Sequence, residues 1–380
     1  MKSSAFALLI LFFWLPVASA QTVKTLLAPG ANVGDDIALG PDGFLYVSDF
    51  ARGGVTKVSM NGTATNFASG FVEPNGLAFR PDGSLLVANA SGNRINRVDP
   101  QGNSFVFRSS INNPTGMLLL PDGNLLVAHY RTSTISMIDT DGNLSQFMSG
   151  SSLNGPVGLD MDEAGNLYIG NFNDGRIIKR TPDGETTVIG DIPGWLGFIA
   201  YNNGWIYASA FQINRIYRVR VDGTDQEIFA GNGRGETADG DALSASFHGP
   251  NGLAASITGD TLFVSEFNGR SIRMITGINA VSTSNEDESN PLPEGFGLRQ
   301  NYPNPFNPST AITFDIPSAG HVKINVFDRT GRLISALADQ RFAGGSHTLN
   351  FEARNLASGV YFYSMEYGGQ STIRKMALLK

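Results

Sequence analysis

Six positions, one in each of six similar stretches of the chain, could bind a ligand or move a proton: Asp49, Asn89, His129, Asn171, Ala210 and Glu266. Each closes a short apolar segment, as in Leu45-Tyr46-Val47-Ser48-Asp49 and Leu125-Leu126-Val127-Ala128-His129. If all six face one opening, they form a polar, mildly acidic collar with a single imidazole. His129 is then the candidate general base, since imidazole titrates near neutral pH. Asp49, Asn89, His129, Asn171 and Glu266 are the candidate ligand-binding side chains. The alternative is structural: short polar side chains at strand ends bond nearby backbone amides and cap the next turn.

Other chemistry is excluded by pattern. Asp139-Thr140-Asp141-Gly142-Asn143 begins like a calcium loop but lacks the later glutamate and occupies a hairpin position in the repeat. Gly231-Asn232-Gly233-Arg234-Gly235 follows a strand but opens no helix, so it cannot cradle a phosphate in the usual way. No G-x-S-x-G elbow, H-E-x-x-H pair or Walker loop occurs.

The elements that position the candidate residues repeat about every forty residues. Pro41-Asp42-Gly43, Pro81-Asp82-Gly83 and Pro121-Asp122-Gly123 each precede an apolar strand, and weaker copies follow near Gly165, Gly204 and Gly259. The units read as four short strands each, the sixth excepted, such as Gly76 to Arg80, Ser84 to Val87, Arg94 to Val98 and Ser104 to Phe107. This period with this strand count predicts a six-bladed β-propeller over residues 21–277. The sixth unit supplies three strands only, and Thr22-Val23-Lys24-Thr25-Leu26-Leu27-Ala28 resembles a missing fourth. The spacing therefore predicts a ring closed by exchange between its ends, which removes the last unpaired sheet edge. The longer excursion from Gly231 to Pro250 could lie over a channel mouth or serve the architecture alone.

The repeats resemble NHL-repeat propellers through Asn93-Arg94-Ile95, Asn214-Arg215-Ile216 and Asn268-Gly269-Arg270-Ser271-Ile272. They are also similar to the propellers of the senescence-marker-protein and gluconolactonase group. That second resemblance implies a divalent cation, calcium or a similar ion, held at the channel mouth by oxygens from the loops entering the innermost strands. The corresponding positions are Asp35, Asn75, Thr115, Val157, Leu196 and Asn251, of which Asp35, Asn75 and Asn251 are candidate metal ligands. Val157 stands where the group carries a carboxylate, and its N-terminal Glu-Gly-Pro is absent. Both departures weaken cation binding and water activation.

Residues 297–380 form a separate β pattern, with Val322, Ile324, Val326 and Tyr361, Tyr363, Met365 at period two. A small immunoglobulin-like β-sandwich is expected. Asn301-Tyr302-Pro303-Asn304-Pro305-Phe306, the Gly359-Val360-Tyr361 run, Lys375 and the terminal Lys380 resemble, in order, the type A C-terminal sorting domain of the type IX secretion system of Bacteroidetes-like bacteria. The resemblance implies recognition by the outer-membrane translocon, then release or attachment to surface lipopolysaccharide. Residues 1–20 agree with export: Lys2, an apolar run and Ala18-Ser19-Ala20 make a signal peptide. Nothing else reaches the ~18 apolar residues of a membrane span.

Residues 278–296 are polar and acidic, as a flexible linker would be. Residues 21–277 hold 17 Lys and Arg against 25 Asp and Glu, a net charge of −8, which argues against nucleic acid as a partner. With no cysteine, packing alone must hold the fold. The expectation is a secreted or surface propeller that binds a small molecule, glycan or peptide. The alternatives are a metal-dependent lactonase-type hydrolase at the channel mouth and a structural or adhesion protein.

Overall fold

In the computed structural model, each Pro-Asp-Gly turn folds as its residues dictate. Gly43, Gly83 and Gly123 take φ of 81°, 81° and 90°, in the left-handed region open to glycine. The aspartate before each accepts a bond from the amide two residues on, at 3.3 Å from Phe44, 3.0 Å from Ser84 and 3.0 Å from Asn124. The turn joins the first and second strands of a blade, and the apolar run after it becomes the second strand. Leu45–Asp49, Leu85–Asn89, Leu125–His129 and Leu167–Asn171 are buried along their whole length. The fourth strands, such as Ser104–Ser109, begin with three exposed residues because they form the outer rim.

The structure describes residues 21–162, 164–256, 259–278, 297–299, 301, 303–304, 306–328, 333–354, 356–367 and 370–378. They divide into two compact units after Thr283. The expected signal peptide and positions 279–296 of the expected linker lie outside the described residues.

The first unit contains six antiparallel blades, with innermost strands Ile37–Leu39, Pro74–Phe79, Pro114–Leu119, Pro156–Met161, Leu196–Asn202 and Pro250–Ala255. Thr22–Leu27 pairs with Ser271–Thr276 and completes the sixth, so the ring closes by the exchange that the repeat count requires. Around the axis the innermost strands touch through glycine. A Cβ on Gly116 would lie 1.7 Å from the Val157 carbonyl oxygen, so only glycine fits. Serine hydroxyls stitch neighbouring blades as well: Ser48 donates to the Asn75 carbonyl at 2.7 Å, and Ser209 and Ser265 donate to the carbonyls of Asn251 and Asp35.

The excursion from Gly231 to Pro250 is bound to blade six. Gly240–Asp241 pairs with Thr22–Val23 on the outer edge of that sheet. The fully buried Arg273 donates to the Ser246 and Ala238 carbonyls and to Asp239 and Glu266 at 2.7–3.1 Å.

The second unit is a β-sandwich. One sheet contains Gly297–Leu298, Ser309–Ile316 and Gly345–Glu352; the other contains Leu333–Phe342, Gly320–Asp328, Gly359–Tyr367 and Gln370–Leu378. Ile312, Phe314, Val322, Ile324, Tyr363 and Met376 meet in its core. The residues that resemble a sorting motif strap this sandwich together. The Asn301 amide donates to the Tyr363 hydroxyl at 2.8 Å, and its side chain donates to Thr310 Oγ1 at 2.8 Å. Phe306, 1 % exposed, donates its amide to Ala377 at 2.9 Å, while the Ala377 amide donates to Asn304 Oδ1 at 2.8 Å. The Tyr361 hydroxyl bonds the Ala357 carbonyl at 2.9 Å, Lys375 is half-buried, and Gly359 takes φ of 156°. Tyr302, Pro305 and Lys380 lie outside the described residues.

Candidate functional site

At one end of the propeller channel is a cavity of about 290 Å3. Its floor is built where the chain enters the innermost strands: Asp35, Asn75, Thr115, Val157 and Asn251 line it, while Leu196 is fully buried and does not. Asp35 Oδ1 accepts a bond from Asn251 Nδ2 at 2.5 Å, and Oδ2 accepts one from Asn75 Nδ2 at 2.9 Å. Those three side chains, from blades 1, 2 and 6, therefore meet as one hydrogen-bonded group. Burial holds the Asp35 carboxyl well above the usual carboxylate range, and the neighbouring Asp36 charge pushes the same way, against the two amides. Asn75 Oδ1 is buried without a hydrogen-bond partner. Thr115 donates its hydroxyl to the Pro156 carbonyl at 3.0 Å and ties blade 3 to blade 4.

As a cation site this floor is incomplete. A calcium ion takes roughly six to eight oxygens, rich in carboxylate. Here one carboxylate and two amides converge, and both carboxylate oxygens already accept amide N–H groups. Among the described residues, no group of three His, Asp or Glu side chains converges as metal ligands do. The oxygen set falls short of what a metal ion requires.

The expected second collar does not converge on this cavity. Asp49 is paired with Arg270 at 2.6 Å and accepts the Arg52 amide at 3.1 Å. Asn89 accepts the Val72 amide at 2.8 Å, and Asn171 accepts the Asn154 amide at 3.1 Å while donating to the Ser152 carbonyl at 2.8 Å. Glu266, 0 % exposed, accepts the His248 amide at 2.9 Å, Thr237 Oγ1 at 2.7 Å and Arg273 at 3.1 Å. The His129 ring donates from Nδ1 to the Asn112 carbonyl at 2.6 Å, leaving Nε2 to accept from Ser136 Oγ at 2.8 Å. Burial lowers the His129 pKa, against the Asn112 carbonyl bond, and both ring nitrogens are engaged. Ala210 is buried. These positions hold the loops between blades, as turn-capping side chains do.

The next residue in each repeat faces the cavity instead. Successive strand residues point to opposite sides, so a displacement of one position exchanges interior for opening. Phe50, Tyr130, Phe172, Phe211 and Phe267 line the cavity, with Ala90 at the equivalent place in blade 2. The rings form a nearly continuous collar. Tyr130 meets Phe172 edge-on at 5.7 Å, Phe172 approaches Phe211 at 6.4 Å, Phe211 meets Phe267 at 5.7 Å, and Phe267 approaches Phe50 at 6.1 Å. The exposed Trp195 stacks on Phe172 at 5.6 Å from outside. At the blade 2 gap stand Glu73, Asn113 and Arg131. The signal for this collar was in the repeat itself: an aromatic follows Asp49, His129, Asn171, Ala210 and Glu266, but not Asn89.

A second cavity, of about 370 Å3, lies among the innermost strands and contains Asp36 and Asp160. Phe198 lines both cavities. Asp36 accepts the amides of Ile37 and Leu77, each at 2.8 Å, and Asp160 accepts those of Met161 at 2.8 Å and Tyr201 at 2.6 Å. Both carboxyls thus serve backbone N–H groups of the innermost strands.

Comparison with known proteins agrees with the propeller fold. An auxiliary nutrient binding protein from Bacteroides thetaiotaomicron superposes with a TM-score of 0.59 at 14% identity, covering 67% of this chain and 76% of its own. A gluconolactonase from Xanthomonas campestris gives 0.54 at 16% identity, covering 68% and 90%. The virginiamycin B lyase from Staphylococcus aureus gives 0.48 at 19% identity, covering 63% and 79%. No curated protein matches the chain in sequence. Residues 300–378 match the secretion system C-terminal sorting domain, so the chain is cargo of the type IX secretion system and is secreted or displayed on the cell surface. No helix among the described residues is long and apolar enough to cross a membrane. Residues 18–227, more than half of the chain, match the virginiamycin B lyase family model, and the chain belongs to that family.

Proposed function

We propose that the exported propeller is a binding protein and that the aromatic-collared cavity is its ligand site. The observation that carries this reading is the aromatic ring placed after the second strand in five of six blades, converging over a polar floor. Such a cavity suits a small organic ligand of on the order of ten to twenty non-hydrogen atoms, with an apolar body and a hydrogen-bonding end. The rings contribute apolar contact area and the floor orients the ligand.

Catalysis is less well served by these residues. His129, the candidate general base, has both nitrogens bonded and lies outside the cavity lining. The hydrolase reading rests on Asp35, Asn75 and Asn251, which make half of the required ring. A purely adhesive protein has no need of a built cavity.

Calorimetric titration of the full chain with p-cresol, a neutral ring with one hydroxyl, tests the reading. Saturable binding is expected, with a loss of about tenfold or more in a Phe172→Ala, Phe267→Ala double variant. Calcium binding removed by Asn75→Ala, Asn251→Ala, together with turnover of δ-gluconolactone, would favour the hydrolase instead.

A further inference from the structure

The chemistry of the floor and that of the collar select one class of ligand, an inference that rests on the cavity being the binding site. Each floor amide spends one of its two N–H groups on Asp35 and keeps its oxygen open: Asn75 Oδ1 is buried without a partner, and Asn251 Oδ1 accepts no bond from the described residues. Each Asp35 oxygen accepts one side-chain bond and has a further lone pair. Thr115 has already committed its hydroxyl proton to backbone carbonyls. The floor therefore offers more acceptors than donors, grouped around the one carboxyl. A ligand that satisfies it must lead with hydrogen-bond donors. An uncompensated acceptor cluster is costly once water is displaced.

Two amide oxygens beside a carboxyl could receive either a metal ion or an ammonium group. The collar decides between them. A metal ion short of protein ligands keeps its waters, and a ring of phenyl groups gives those waters no partners. The same rings present negative π-faces to an organic cation and apolar surface to its hydrocarbon body. The wider field has the matching sign. Asp35 and Glu73 line the cavity against Arg131 alone, and residues 21–277 have a net charge of −8.

We propose that the cavity binds a primary organic ammonium ion, its nitrogen on Asp35, Asn75 and Asn251 and its apolar or aromatic body within the rings of Phe50, Tyr130, Phe172, Phe211 and Phe267. A sugar is the less suitable occupant. Each hydroxyl brings an acceptor as well as a donor, and the floor has few free donors to meet it.

The test is calorimetric titration of the full chain with four probes: 2-phenylethylammonium, its neutral analogue 2-phenylethanol, methyl β-glucoside and calcium chloride. The amine is expected to bind at least about tenfold more tightly than the alcohol, since the ammonium charge draws Asp35 into the ionised form that burial alone disfavours and also gains the rings. Asp35→Asn, which keeps the shape of the floor, is expected to remove that preference, so that amine and alcohol bind with about the same affinity. Asn75→Ala provides a second lesion should Asp35→Asn fail to fold, and is expected to weaken the amine selectively. Equal binding of amine and alcohol, or tighter binding of the glucoside, overturns the ammonium assignment while the cavity stands as a binding site. Calcium binding with no amine binding overturns it in favour of a metal site. If p-cresol and all four probes fail to bind, both the assignment and the binding-site reading fall.

Discussion

Asp35 and Asp36 are adjacent in the chain but line different cavities. Burial pushes the Asp36 carboxyl up to about 7, although the Leu77 and Ile37 amides pull it down. A carboxyl raised in the folded state gives stability that is complete below its ordinary value near 3.8 and is lost as pH rises through about 7. The turn carboxyls act the other way. Hydrogen bonds hold Asp99 and Asp139 below the ordinary range, so their contribution is present above it and is lost as pH falls further. The melting temperature is therefore expected to fall between about pH 5 and about pH 8, and to fall less in Asp36→Asn; a steady rise over that interval contradicts the assignment. Arg273→Met leaves Glu266 buried without its cation and should cost about 3–5 kcal/mol in urea unfolding; a cost under about 1 kcal/mol would show that the pair is not as buried as described. At this scale the sequence was informative where chemistry recurs with the repeat. Asp35, Asn75 and Asn251 do meet on one floor. The collar is harder to see because one step along a strand reverses the side on which a side chain lies, so Asp49 and His129 serve the inter-blade loops while Phe50 and Tyr130 face the cavity.

Among the elements, the closing strand carries the most consequence. Thr22–Leu27 supplies the fourth strand of blade six and also receives Gly240–Asp241. Its removal opens the ring and strips two neighbours of their hydrogen bonds. Deleting residues 22–27 should abolish cooperative melting, and a truncated chain with an unchanged transition would refute the joint. The axial glycines make a second element-scale prediction. Gly116→Ala forces a Cβ against the Val157 carbonyl and should destabilise by about 3 kcal/mol or more, read from a denaturant midpoint; a neutral effect would mean that the innermost strands can separate freely. Blade number and closure were legible because the forty-residue period counts strands directly. The path of the 231–250 excursion was not, since it depends on where the buried Arg273 finds its carbonyl partners.

Across the whole molecule, two folds divide the work: the propeller contains the cavity and the sandwich carries the export signal. Asn304 and Phe306 bond the last strand of the sandwich at Ala377, and Asn301 bonds Tyr363 and Thr310, so these residues help to build the domain that carries the export signal. Deleting residues 297–380 is expected to strand the propeller in the periplasm, and its continued appearance outside the cell would contradict that division. The central claim, that the aromatic collar is the ligand site, is tested most directly by a crystallographic difference map of the full chain soaked with 2-phenylethylammonium. The account predicts density inside the collar between Phe172 and Phe267, with its polar end on Asp35. Ligand density confined to another surface, with the collar empty, would contradict it.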